Sequence, residues 1–353
     1  MESTRRGPLA GLTVIELAAL GPVPFAGMHL AQLGAEVVLV TRPTVIEAPF
    51  PAELDPFNAD KRPIRLDLKS ASGRDRLLEL VGGADVLLEG HRPGVMERLG
   101  LGPDTIFRHN PRIVIGRMTG WGQTGPWAHR AGHDINYLAL TGALNAIGPR
   151  EGPPSVPLNI VGDYGGGALY LLVGVLAAIR EVDHGGTGQV VDASIVDGVA
   201  HMLSGVYAGL GPGYWTNQRQ SNAVDGGAPY YGVYRTQDEH YVAVSAGERR
   251  FYRALVHGLG VSVDLDEQQD RTTWDRTKQI FAEAFRGRTL DEWLETFADS
   301  DACVSPVLDL VAAIDHPQIR ARRTLSVLNG VLRAAAAPRF SRWHTDDDSR
   351  SNS

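Results

Sequence analysis

From Leu12 onward the apolar positions fall into short runs of two kinds. Residues 13–17 and 35–40 are almost continuously apolar and rich in β-branched side chains, as strands buried on both faces are, and residues 24–33 between them are spaced as a helix. The three make a βαβ unit. The alternation continues, with strands predicted at 64–68, 85–88 and 113–118 and helices at 70–81 and 104–109. Strands separated by helices predict an α/β fold with a mainly parallel sheet covered on both faces. Apolar residues between Gly132 and Gly148 predict one further helix, and another runs over 163–181 behind a glycine-rich start. A strand at 189–193 then leads into a helix from Ile195 to about Ala208.

Gly211-Pro-Gly-Tyr-Trp breaks this pattern and reads as a linker. Beyond it, 230–235 and 240–245 alternate around 236–239 as a β-hairpin does, and helical spacing follows at 248–259, 272–286 and 290–297. The expected organisation is a large domain over 1–200, a linker over 201–225, a smaller α+β domain over 226–312 and a segment returning to the large domain over 313–344. Within that last segment, 325–328 and 331–335 are short β candidates, and the acidic, serine-rich residues 345–353 are expected to be a disordered tail.

Composition narrows the possible partners. The 353 residues are 43% hydrophobic and 21% charged, an ordinary globular balance. With 41 acidic against 34 basic residues, a net charge of −7 and no block of like charge, no general nucleic-acid or anionic-membrane surface is expected. The longest apolar run, 167–179, is short of the ~20 residues of a membrane span and reads as a buried helix. One cysteine, Cys303, allows no intrachain disulfide, and the start of the chain lacks the apolar core of a signal peptide, so a cytoplasmic location is expected.

Candidate chemistry sits at the ends of predicted strands and at the mouths of predicted helices. The first βαβ unit has no G-x-G-x-x-G, and the second strand ends in Thr41-Arg42 where a dinucleotide enzyme places an acid, so NAD is rejected. Arg42 is either a phosphate contact or a surface residue. Arg92 and Arg98, in Glu89-Gly-His-Arg-Pro-Gly-Val-Met-Glu-Arg98, follow the strand at 85–88 and carry the same two readings. The densest polar group is His133, Asp134, Asn136 and Tyr137, with Asp163 following 30 residues after His133. His133 is either a capping or core histidine or a catalytic one; Asp163 is either a helix cap or a catalytic acid. The glycines at 165–167 let a substrate approach the backbone, and the N–H groups of 163–167 are candidates for an oxyanion site. The sequence holds no H-E-x-x-H, G-x-S-x-G or Walker A loop, and Cys303 reads as a buried strand residue. Acid–base or carboxylate-nucleophile chemistry remains, with no metal expected.

Several of these stretches together resemble the class III CoA-transferase superfamily from Leu9 to about Phe340. Leu9-Ala-Gly-Leu-Thr-Val-Ile-Glu-Leu-Ala and Glu89-Gly-His-Arg-Pro-Gly-Val-Met-Glu-Arg-Leu-Gly are similar to its hallmarks. Arg117-Met-Thr-Gly-Trp-Gly-Gln-Thr-Gly-Pro126, Gly132-His-Asp-Ile-Asn-Tyr137, Asn159-Ile-Val-Gly-Asp-Tyr-Gly-Gly-Gly167 and Asp225-Gly-Gly-Ala-Pro-Tyr-Tyr231 resemble its α-methylacyl-CoA racemase branch. The resemblance implies a Rossmann-like large domain, an interlocked homodimer with the active site between subunits, and an acyl-CoA thioester as substrate. It makes His133 and Asp163 the catalytic bases, supported by Asn159 and Glu248, and Arg42, Arg92 and Arg98 the grip on CoA. No cofactor is implied, since CoA belongs to the substrate. The expected reaction inverts the α-carbon by two-base proton transfer through an enolate. Two alternatives are CoA transfer with Asp163 as nucleophile and acyl-CoA binding without chemistry.

Overall fold

Six parallel strands organise the first part of the chain: β1 (Thr13–Leu17), β2 (Glu36–Thr41), β3 (Arg62–Arg65), β4 (Val86–Glu89), β5 (Val114–Thr119) and β6 (Val190–Ser194). Their order is β3-β2-β1-β4-β5-β6, the arrangement of doubly wound dinucleotide-fold sheets. This computed structural model describes residues 7–43, 54–328 and 330–343; the expected tail at 345–353 lies outside the described residues. The central strands are buried on both faces, which is why β1, β2 and β4 read as nearly continuous apolar runs.

The crossover helices start where local chemistry permits. Helix α1 (Pro22–Gln32) places proline in its first turn, where the missing N–H costs nothing, and α2 (Ala71–Val81) is capped by Ser70, whose hydroxyl accepts the Gly73 N–H at 3.0 Å. Short helices α3 (Val95–Arg98) and α4 (Pro103–His109) follow β4. Strand β3 ends three residues earlier than expected, because Asp67 and Ser70 take that stretch for the turn into α2, with the Ser70 hydroxyl on the Asp67 carbonyl at 2.8 Å. The single helix expected over 132–148 is two, α5 (Asp134–Leu140) and α6 (Ala143–Ala146), broken where Thr141 bonds back to the Leu138 carbonyl and Gly142 turns left-handed at φ 78°.

The helix expected from Asp163 begins at Ile160. Its first nine residues, Ile160–Ala168, are a π-helix, and α7 (Leu169–Asp183) continues it. Together they form a 24-residue helix, Ile160–Asp183, that by length and composition alone could cross a membrane. Leu171, Leu172, Val175, Ala178 and Val182 are buried, and α7 packs on β5 and β6. The helix expected over 195–208 breaks at Leu203 into α8 (Ile195–Met202) and α9 (Ser204–Leu210).

The chain forms two units: Met1–Thr141 with Pro157–Met202 and Ala321–Ser353, and Gly142–Val156 with Leu203–Arg320. In the second, β7 (Tyr231–Arg235), β8 (Tyr241–Ser245) and β9 (Val304–Pro306) make an antiparallel sheet. Helices α10 (Arg249–Leu259), α11 (Trp274–Phe285) and α12 (Leu290–Phe297) complete a core of Tyr234, Tyr252, Phe281, Phe285 and Trp293. The expected hairpin and helices are present. Cys303 departs from its reading as a buried strand residue: it is partly buried at φ 54° just before β9, with its carbonyl accepting the Ser245 N–H at 3.0 Å. Helix α13 (Pro317–Arg322) leads to an antiparallel pair, β10 (Leu325–Leu328) and β11 (Val331–Ala334).

Candidate active site

In the first unit, the chain leaves β1 toward β2 on one side and leaves β4 toward β5 on the other. The crevice at the carboxyl ends of these two neighbours is where open parallel sheets take ligands. A cleft of about 420 Å³ opens there, lined among others by Gly21, Arg42, Arg92, His133, Tyr137 and Asp163. Four of the seven residues expected from the sequence therefore share one cavity.

The turn carrying Arg92 is braced from beneath. Glu89, at the end of β4 and 1% exposed, accepts the His91 backbone N–H at 2.6 Å and the Arg117 Nε at 2.7 Å. Arg117, from β5, also reaches Glu97 on α3 at 2.8 Å. One buried guanidinium thus ties the strand end to the helix on either side of Arg92. Arg98 is not among the residues lining the cleft; its guanidinium lies over Gly94, 3.0 Å from where a β-carbon would stand. Arg130 lines the cleft as well, its guanidinium 4.6 Å from the Trp127 ring centre.

His133 is the N-cap residue of α5, where its backbone N–H is accepted by Asn136 Oδ1 at 3.0 Å. Trp121 packs edge-on against both Trp127 and Tyr137, at 5.0 and 4.6 Å. The Tyr137 hydroxyl donates to the Gly132 carbonyl, which ties the residue before His133 to α5. Burial, with the Asp163 charge nearby, pushes that phenol up to about 12, so it stays protonated.

Asp163 lies in the first turn of the π-helix. It does not cap the helix with its side chain; its own N–H is accepted by Asp134 Oδ1 at 2.8 Å. Burial raises the Asp163 carboxyl above the ordinary carboxylate range, and Asp134 adds to the rise. The Asn159 Nδ2, 3.3 Å from Asp163 Oδ2, and His133 act in the opposite direction. Of the N–H groups expected to form an oxyanion site, that of Asp163 is taken by Asp134 and that of Tyr164 by the Asn159 carbonyl at 3.4 Å. Glu248 belongs to the second unit, exposed at the N-cap position of α10. Among the described residues, no three His, Cys, Asp or Glu side chains gather where they could hold a metal ion.

The arrangement sets a histidine and a raised carboxyl in one cleft, with arginines at its rim. Its Glu89–Arg117 brace and the Asp134 contact join residues 28 and 29 positions apart, and no local spacing signals them. The chain is 43% identical over 315 residues to the alpha-methylacyl-CoA racemase of Mus musculus, covering 89% of this chain and 81% of that protein. It is 41% identical to the alpha-methylacyl-CoA racemase of Homo sapiens over the same shares. Among solved structures, a CaiB/BaiF family protein from Brucella suis superposes with a TM-score of 0.79 at 25% identity, over 95% of this chain and 93% of that one. With residues 9–350 matching its profile, the chain belongs to CoA-transferase family III.

Proposed function

We propose that this protein racemises the α-carbon of 2-methylacyl-CoA thioesters, the activity named for its relatives at 43% and 41% identity. The observation that carries the reading is the presence of His133 and Asp163 in one cleft at the sheet's switch point. A thioester acidifies its α-proton because the developing charge delocalises onto the carbonyl oxygen. One group takes the proton from one face and the other returns a proton to the opposite face, which inverts the centre. Burial shifts the Asp163 carboxyl toward its protonated form, in which it donates while the imidazole accepts, as one direction requires. After one turnover the protons are exchanged between them, which is the state needed for the other.

Arg42 and Arg92 bind the CoA phosphates in this proposal, and Arg98 supports the same end of the ligand. Asn159 orients Asp163, to which its amide is already bonded. Glu248 is proposed as a supporting residue, and no metal or redox cofactor takes part. A cytoplasmic homodimer is the proposed working form. Its support is an apolar surface on the first unit: Leu140, Ile160, Leu169 and Val173 are 58, 56, 45 and 67% exposed. Sedimentation equilibrium should give twice the 38.1 kDa chain mass, and an active monomer would refute the dimer.

CoA transfer through nucleophilic attack by Asp163 is the competing reading, and the imidazole in the same cleft favours racemisation over it. The test is proton NMR of a single-enantiomer 2-methylacyl-CoA in D₂O. Racemisation with loss of the α-proton signal supports the proposal. CoA transfer to a free carboxylate without α-deuteration replaces it, and binding without either leaves a carrier.

A further inference from the structure

Asp134 stands next to His133 in sequence but has no part in the proton relay. The residue is 7% exposed, and its carboxylate accepts the backbone N–H of Asp163 at 2.8 Å together with that of Gly162. A helix leaves the N–H groups of its first turn without partners inside the helix, and the wide turn of a π-helix does the same at Ile160–Ala168. Asp134 supplies the missing acceptor from another element. Space for it exists because residue 162 has no side chain: a β-carbon there would stand 2.2 Å from Asp134 Oδ1.

The two carboxyls are close enough for Asp134 to act electrostatically on Asp163. Neighbouring carboxyls out of water resist joint ionisation, so one holds a proton more tightly than the other. Burial raises Asp134 as it raises Asp163; the backbone N–H groups of Asp163 and Gly162 oppose that rise at Asp134, and the Asn159 amide at 3.3 Å opposes it at Asp163. From α5 come His133, Asp134 and Tyr137, whose hydroxyl also feels Arg92 of the turn after β4. Gly21, just before α1, lies against the Asp163 carboxyl, while Phe25 of α1 stacks on the next residue, Tyr164, and Ile195, Gly198 and Val199 of α8 pack on Gly166 and Gly167. His133, where cationic, opposes Asp134.

We infer that Asp134 is a positioning residue: it caps the π-helix so that Asp163 is presented to the cleft, and its carboxylate charge favours the protonated form of Asp163. The kinetic consequences rest on the proposed racemisation; the structural ones do not. In the form in which Asp163 carries the proton, His133 takes the α-proton and Asp163 returns one.

The test uses the full-length protein with ¹³C in its aspartate carboxyls, the Asp163 signal being assigned by its loss in Asp163→Asn. Asp134→Asn keeps an oxygen acceptor for the two N–H groups and removes the charge. Its Asp163 carboxyl should titrate about one pH unit lower than in the wild type. In kinetics, the limb of the kcat pH profile belonging to Asp163 should move the same way. Turnover in the direction where Asp163 donates should fall up to about tenfold at neutral pH, with KM unchanged. An unmoved titration midpoint overturns the inference, and so does a loss of activity that is equal at all pH values. Asp134→Ala, if it folds, should lose kcat in both directions because Asp163 is no longer held; if it does not fold, the Asn variant decides alone. Should the wild type exchange no α-proton, the racemisation proposal falls, and the carboxyl midpoint in Asp134→Asn still decides the role of Asp134.

Discussion

At the scale of single residues, His133 and Asp163 share a cleft but not an environment. His133 is exposed at a helix start, whereas Asp163 is partly buried with Asp134 and Asn159 around it. Two groups so differently placed should fail differently. His133→Ala should abolish α-proton exchange from one enantiomer and leave Asp163-dependent exchange from the other, and Asp163→Ala should show the opposite preference. Racemisation needs both, so each variant should lose at least the ~10²-fold typical of a positioned acid–base group, read as polarimetric rate alongside deuterium incorporation. Gly162→Ala makes a sharper test of local geometry. Its methyl would displace the Asp134 carboxylate rather than touch either base, so kcat should fall at least about tenfold while KM holds.

At the scale of elements, the Arg92 turn depends on a charge pair that water does not reach. Removing Arg117 strands Glu89, whose side chain is 1% exposed, and an uncompensated buried charge costs about 3–5 kcal/mol. Arg117→Met should lower thermal stability by an amount of that order and raise KM for acyl-CoA. The double variant Arg117→Met/Glu89→Gln should recover most of the stability, as seen by calorimetry. What was legible beforehand follows the same line between local and distant causes. Most strands of the sheet could be read because parallel strands buried on both faces leave nearly continuous apolar runs. The π-helix was not legible: its glycines signalled close approach, but a 3.6-residue period describes α7 and the turn before it alike. Arg42 and Arg92 could be picked out because they follow strand ends, where such sheets bind ligands; His133 and Asp163 stood at predicted helix mouths, where a cap and a catalytic group look alike, and their roles came from the family resemblance. Arg98 ends the helix beyond the Arg92 turn and does not line the cleft.

At the scale of the whole molecule, the pair of greatest consequence lies beneath the cleft rather than in it. Lys61 Nζ is 2.8 Å from Glu16 Oε1 and 3.0 Å from the Pro24 carbonyl, and both side chains are 0% exposed. Burial raises Glu16 from 4.5 to about 7 despite its cation. A carboxyl whose folded pKa lies above its unfolded one binds more protons folded than unfolded between the two values. Its contribution is therefore complete below about pH 4.5 and is lost as pH rises to about 7. Thermal unfolding followed across that window should show a downward slope in stability, on the order of a few kcal/mol in all, that Glu16→Gln flattens. A wild-type profile as flat as the variant's would remove the pair from the account.

The same pair constrains how the sequence can drift. A β-carbon on residue 27 would fall 1.7 Å from Glu16 Oε2 and 3.0 Å from Lys61 Nζ, so the acid, the base and the bare backbone at Gly27 occupy one space between them. Replacing the lysine leaves a charge without a partner, replacing the acid does the same to the lysine, and a side chain at 27 displaces both. Each single step is a loss, and only a joint change to apolar residues of matching volume is not. Across relatives of this chain, positions 16, 27 and 61 should therefore be inherited as a set, changing together or not at all, while the strand residues around them vary one by one.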